Sequence, residues 1–415
     1  MALENDPRFV GTGYESGATR EKLRQAWGEV LPVLSAEGVH TETSQDIISS
    51  DNQVYGSGKS SFPVTEYTLS LTQPLFNFAS FVGIKRAKAL ARGADLELTA
   101  ARQDLAVRVA VAYFSVLAAR DRLGVTAAEE AAVARHYELI SEKFKKGLTT
   151  KTEYYDAKAR LAEVQANRLA TESDLDDARQ ALSEIVGRHV EELTPVQEEL
   201  PLVTPDPADA DSWIDAAVDQ NPALEATRQT VEAARQEIRR QKAGHYPYVN
   251  VEANHNWRET KGTLFGGGSE VETDNLLVRL NVPLYQGGII SSRTREAALL
   301  MNATRQEEER QARALQRETR AAYYGVGNSI ERVNALSEAV EAQSLALEGK
   351  KEGYRSGLFT ILAVLDAERD LSLARQNYAM ARYDYIINSL NLKKAVGTLS
   401  DDDVVAVNEW LGNSH

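Results

Sequence analysis

The side chains that usually carry catalysis are missing from this chain or scattered along it. It has no cysteine in 415 residues. That excludes a thiol nucleophile, a thiolate metal site, an Fe–S cluster and disulfides. The six histidines are His40, His136, His189, His245, His255 and His415. They show no HExxH pattern and no close metal spacing. Gly266-Gly267-Gly268 is followed by no Lys-Ser/Thr and opens no helix, so it reads as a loop and not a phosphate cradle. No enzyme, metal or cofactor is expected. What remains is charge at helical spacing: Asp156 with Arg160, and Asp366 with Arg369. By themselves these are ordinary i,i+4 and i,i+3 pairs on solvated helix faces.

The elements that must position them are long. Gly and Pro together number 26 + 11 = 37, below the usual share of roughly 12%. Two breaker-poor stretches, about 79–146 and 289–356, would each make a helix about 100 Å long. Each ends at a Gly-Leu turn, Gly147-Leu148 and Gly357-Leu358, and a return helix follows. Apolar residues recur every three or four positions, as in Leu161, Val164, Leu169 and Leu175, so each pair reads as an antiparallel coiled-coil hairpin. The alternations Tyr67-Leu69-Leu71, Val249-Val251-Ala253 and Leu276-Val278-Leu280 read as strands with one apolar face. Val33–Thr43 is a weaker fourth strand. Turn-rich loops are expected at Ser49–Ser61 and Lys261–Thr273. Trp257, Tyr246, Tyr248 and Tyr285 near strand ends suit either an interfacial girdle or plain packing.

The pattern occurs twice. Leu71-Thr72-Gln73-Pro74-Leu75-Phe76 resembles Leu280-Asn281-Val282-Pro283-Leu284-Tyr285, at an offset of 283 − 74 = 209. Phe144-Lys145-Lys146-Gly147-Leu148 matches Tyr354-Arg355-Ser356-Gly357-Leu358 at 357 − 147 = 210. The spacing predicts a first repeat over 1–208, with a helix, strands at about 31–46 and 62–73, a hairpin at about 79–186 and a linker at 187–208. A second repeat over 209–415 holds a helix at about 209–243, strands at about 247–260 and 274–284, a hairpin at about 289–396 and a tail at 397–415. The proline-rich stretch 191–207 is neither helix nor central strand.

The expected class is mainly α with a small β part. Four strands cannot close a barrel, and a free sheet would leave edges that invite aggregation. Three copies give 3 × 4 = 12 strands, within the range of membrane barrels. The competing architecture is a soluble periplasmic coiled-coil scaffold with no channel activity. No run of 18 apolar residues exists, so no helix spans a bilayer. The formal charge of 47 − 61 = −14 argues against nucleic acid, which needs a basic face. Met1-Ala2-Leu3 runs straight into Glu4-Asn5-Asp6-Pro7, so no signal peptide is read here. A cytoplasmic chain or a mature form with an added Met both fit.

The chain resembles the TolC family of outer-membrane efflux and secretion channels over nearly its whole length. The resemblance rests on Tyr354-Arg355-Ser356-Gly357-Leu358-Phe359-Thr360-Ile361-Leu362-Ala363-Val364-Leu365-Asp366-Ala367, on Asn377–Lys393 and on Ala395–Leu399. It implies a homotrimer with a 12-stranded barrel in outer-membrane lipid, a helical tunnel in the periplasm and an equatorial belt. That belt takes in the proline-rich linker and the C-terminal tail. Implied partners are a periplasmic membrane-fusion adaptor and an inner-membrane ABC or proton-driven transporter, in efflux or type I secretion. The absence of cysteine points to the unlipidated branch.

The same resemblance implies the site residues. Gly147, Leu148, Thr149, Gly357, Leu358 and Phe359 fall at the adaptor-docking tip; a plain helix C-terminus also explains the glycines. Tyr354 falls at a gate position. Glu153 stands where a carboxylate pairs with an arginine of a neighbouring coil, but that arginine position is Phe359. Of two acidic constriction positions, one is Ala363 and the other is Asp366. With Asp156 nearby, a carboxylate ring would attract cations and repel anions. Solvated faces paired with Arg160 and Arg369 explain both aspartates equally well.

Overall fold

The computed structural model describes residues 1–49, 58–190, 192–197, 200–262 and 267–412. The elements run α1 (Ala2–Asn5), α2 (Pro7–Gly28), β1 (Val33–Ile47), β2 (Gly58–Phe76), α3 (Phe78–Lys145), α4 (Lys151–Val186), α5 (Ala210–Gln220) and α6 (Pro222–Lys242). They continue with a 3-10 turn (Ala243–His245), β3 (Tyr248–Thr260), β4 (Ser269–Asn281), α7 (Ile289–Arg355), α8 (Ile361–Val396) and α9 (Asp401–Glu409). Two compact units result. One holds Met1–Glu15, Asp95–Ala226 and Glu309–His415, the other Ser16–Ala94 and Thr227–Glu308.

The first unit is helical. Ala112 and Val116 of α3 pack on Leu175 and Leu182 of α4. Lower in the same hairpin the Thr126 and Thr171 hydroxyls meet at 2.9 Å, and Arg168 pairs with Glu130 at 2.7 Å. Leu347 of α7 packs on Val364, Ala367 and Leu371 of α8. The main core gathers Phe114, Leu117, Val326, Ile330, Tyr385 and Ile386. Linker and tail are tied over it: Val196 bridges Leu411, and the Val203 N–H donates to the Tyr385 hydroxyl at 2.8 Å. Asp6 caps α2 by accepting from the Phe9 N–H at 2.6 Å. The same carboxylate takes two Arg108 N–H bonds at 2.9 and 3.0 Å. Those bonds hold the Asp6 carboxyl below its ordinary value.

The second unit contains one antiparallel sheet in the order β1-β2-β3-β4. Its register defines two faces. Leu34, Leu71, Ala253 and Leu276 form one row, and Gly38, Tyr67, Trp257 and Glu272 another, on the same face. Ser35, Ser70, Asn254 and Asn275, and likewise Glu37, Thr68, Asn256 and Thr273, lie on the opposite face. Along β2 the apolar face is the more open one, and the apolar residues of β4 are exposed as well. Tyr67, Leu69, Leu71, Leu276, Val278 and Leu280 are exposed, while Thr68, Ser70 and Thr72 between them are half-buried. Burial of apolar surface drives water-soluble folding, so this inversion demands a non-aqueous surrounding or a covering partner.

Several boundaries differ from the sequence expectation. The helix expected at 209–243 breaks at Asn221. Pro222 lacks the N–H to continue a helix, and the Asn221 side chain starts α6 by accepting from the N–H groups of Ala223 and Leu224 at 3.0 and 3.1 Å. The first long helix begins at Pro7, where Asp6 caps it. β2 extends past both expected ends despite two prolines. Pro63 lies one residue outside the β2–β3 ladder and Pro74 at its register shift, positions where a missing N–H is tolerated. β4 begins at Ser269 and not at 274, so Glu270, Glu272 and Asp274 are strand residues opposite Glu259, Trp257 and His255. The centres of the two expected loops, 50–57 and 263–266, lie outside the described residues. Among the described residues no helix is long and apolar enough to cross a membrane.

Candidate functional site

Both hairpin turns are built the same way at their entry. α3 stops because Gly147 takes φ +74°, a left-handed conformation that side chains resist. The Leu148 N–H then reaches back to the Lys143 carbonyl at 2.8 Å and the Gly147 N–H to the Phe144 carbonyl at 3.0 Å. This double closure is a Schellman cap. α7 repeats it: Gly357 has φ +81°, with Leu358 to Gly353 at 2.7 Å and Gly357 to Tyr354 at 3.0 Å. The caps turn both leucines outward, Leu148 72% and Leu358 80% exposed.

The exits differ. Thr150 caps α4 and accepts from the Glu153 N–H at 3.1 Å. Glu153 reciprocates, accepting from the Thr150 N–H at 3.3 Å and from the Thr149 hydroxyl. The Thr149 hydroxyl, then the Thr150 backbone, holds the Glu153 carboxyl below its ordinary value. Thr360 caps α8 alone, accepting from the Ala363 N–H at 3.3 Å; alanine returns nothing. Tyr154 stacks on Phe144 at 4.7 Å and lies 5.8 Å from the Tyr137 ring. In the second turn, Phe359 covers Gly353, where a Cβ would collide with its ring.

Three of the four residues expected at the gate line one groove of about 530 Å³ between α3, α4 and α8: Glu153, Asp156 and Asp366. Tyr354 is not among its lining residues and is 46% exposed. Asp366 lies 3.9 Å from Arg369, which donates to Asp370 at 3.0 Å. The i,i+3 pair therefore exists but is shared. Asp370 first, then Asp366, raises the Arg369 guanidinium above its ordinary value. Glu153 is committed to its own helix start, a role that its Thr-x-x-Glu spacing signals. The groove also holds His136, whose buried Nδ1 has no hydrogen-bond partner. The sequence set His136 aside because nothing local marks it. Among the described residues, no group of three or more His, Asp or Glu is placed to hold a metal.

Long paired helical hairpins joined to a sheet that is apolar on its open face define a channel subunit of the outer-membrane type. The model of the family "Outer membrane efflux protein" matches residues 1–188 and 213–398, and the chain belongs to that family. It is 31% identical to outer membrane protein TolC of Vibrio cholerae, over 99% of this chain and 92% of that one. It is 27% identical to the alkaline protease secretion protein AprF of Pseudomonas aeruginosa, over 98% and 85%. Its fold matches the CmeC outer membrane channel of Campylobacter jejuni with a TM-score of 0.80, over 99% of this chain and 87% of that one, at 15% identity. The chain is an outer-membrane exit duct.

Proposed function

We propose that three copies of this chain close a twelve-stranded barrel and form a passive duct, opened by a periplasmic adaptor and an inner-membrane transporter. The observation that carries this reading is the sheet: its apolar face is the exposed one. β1 and β4 each pair on one side only among the described residues. Joining β4 of one copy to β1 of the next satisfies both edges and sets the apolar face against lipid. The likeness to AprF, an alkaline protease secretion protein, favours a protein cargo. No catalytic role is proposed.

In this reading the two hairpin turns are the periplasmic tip. Leu148, Leu358 and Phe359 dock the adaptor, with Gly147, Thr149 and Gly357 shaping their surface. Glu153, Asp156, Tyr354 and Asp366 belong to the gate, and three Asp366 carboxylates ring its constriction. Such a ring prefers cations. Asp366→Asn in planar bilayers is expected to lower cation preference severalfold and relieve divalent block. Unchanged selectivity would remove the ring from the gate.

A further inference from the structure

The two faces of the sheet exchange character toward the hairpin ends that lie away from the helices. Up to the row of Leu71 and Ala253 one face is apolar and the other polar. The next two rows of that face mix both, Leu69 with His255 and Asp274, then Tyr67 with Trp257 and Glu272, the Tyr67 and Trp257 rings stacking at 5.5 Å. Beyond that row the formerly apolar face carries His40, Glu42, Asp46, Lys59, Glu259 and Glu270. On the opposite face the last charged row is Glu66 with Arg258, flanked by Val39 and Val271. Glu66 is tied there, accepting from the Asn256 side chain at 2.6 Å. Every strand residue further out on that face is uncharged: Thr41, Val64, Thr260 and Ser269 in one row, then Thr43 with Phe62, Gln45 with Ser60, and Ile47 with Gly58.

Phe62 is held in place. Gly262 lies against it so closely that a Cβ there would come within 2.7 Å of the Phe62 Cβ. The Lys261 N–H donates to the Pro63 carbonyl at 3.1 Å, which fixes the backbone beside it. Thr260 is buried next to this contact. This segment carries no charge, and Phe62, Val64 and Ile47 set apolar surface among the side chains of Thr41, Thr43, Gln45, Ser60, Thr260 and Ser269. It suits a constriction, where apolar walls raise the cost of passage for hydrated charge.

We infer that Phe62, Val64 and Ile47 of three copies form an apolar collar at the outer mouth of the duct, which retards entry of charged solutes from outside. The collar rests on the barrel reading above, in which this face lines the lumen. Its opposite face, with the four carboxylates of Glu42, Asp46, Glu259 and Glu270 and with His40 and Lys59 among them, then stands above the lipid at headgroup level.

The absence of native cysteine allows single-thiol tests. Ser70→Cys lies on the lumen face below the collar, and Leu69→Cys on the lipid face beside it. The trimer is inserted in a bilayer and a charged methanethiosulfonate reagent is added on the outer side only. Slow modification at Ser70→Cys is expected, rising about tenfold with Phe62→Ser and staying slow with Phe62→Leu, which keeps the wall apolar. Equal rates in all three backgrounds, with Leu69→Cys protected, would overturn the collar and leave the barrel standing. Fast modification of Leu69→Cys with protection of Ser70→Cys would overturn the barrel reading and the collar with it.

Discussion

The two hairpin turns share an entry and differ at the exit. Each helix ends in the same Schellman closure at a left-handed glycine, and each then presents a leucine to solvent. In the first turn the departing helix is locked by a reciprocal Thr150–Glu153 box and an aromatic stack around Tyr154. In the second, Thr360 caps without a partner, because Ala363 stands where a carboxylate would complete the box. One return helix is therefore fastened at its start by a reciprocal cap and the other is not, while both tips present exposed apolar side chains, Leu148 and Tyr155 in the first and Leu358 and Phe359 in the second. A gate needs an element that moves at low cost, and low local stability is where such elements are found. The second hairpin lacks the reciprocal bond at the start of its return helix and is the one expected to swing.

The largest expected effect separates the tips by docking. Leu358→Asp should weaken adaptor binding by about thirtyfold, the loss typical of a buried anchor of about 2 kcal/mol. Leu148→Asp should cost less, because Thr149 beside it is turned toward Glu153 whereas Phe359 extends the apolar surface next to Leu358. Titration of each variant with the adaptor hairpin measures both; equal losses would erase the asymmetry. A smaller effect separates them by stability. Thr150→Ala removes a cap worth about 1 kcal/mol and should speed hydrogen exchange at the start of α4 about fivefold. Thr360→Ala should change the start of α8 by less, since no reciprocal bond is lost with it.

Acid gives the smallest and sharpest contrast. The folded value of Glu153 lies below its ordinary one. Its contribution is therefore complete above the ordinary glutamate range, about pH 4.3, and is lost as pH falls through the lower folded value. The first tip should loosen on acidification below that range while the cap at Thr360, which has no carboxylate, stays unchanged. Exchange rates corrected for intrinsic pH dependence read this directly, and parallel loosening of both tips would contradict it.

Much of this was legible in the chain. Period-two runs such as Tyr67-Leu69-Leu71 mark strands because a half-buried sheet leaves that imprint. The hairpin turns show in their Gly-Leu pairs. The start of β4 before residue 274 was not legible, because Glu270 and Glu272 have loop-like composition. Only the partner strand explains them: Trp257 donates to Glu270 at 2.8 Å, next to the pair of His255 with Asp274 at 2.7 Å. The break at Asn221-Pro222 was visible as a start signal, but the flanking helical pattern runs through it. At the site, Asp156 and Asp366 could be named from a family pattern, yet their shared groove with His136 depends on the packing of α3, α4 and α8. No spacing along one helix encodes that.

The central claim is a barrel closed by three copies in the outer membrane. The most direct test is the native mass of the protein extracted in mild detergent from purified outer membranes. Three times the chain mass, in a complex that resists heating in gel sample buffer, is the predicted result. A single elongated chain recovered from the soluble fraction would contradict it.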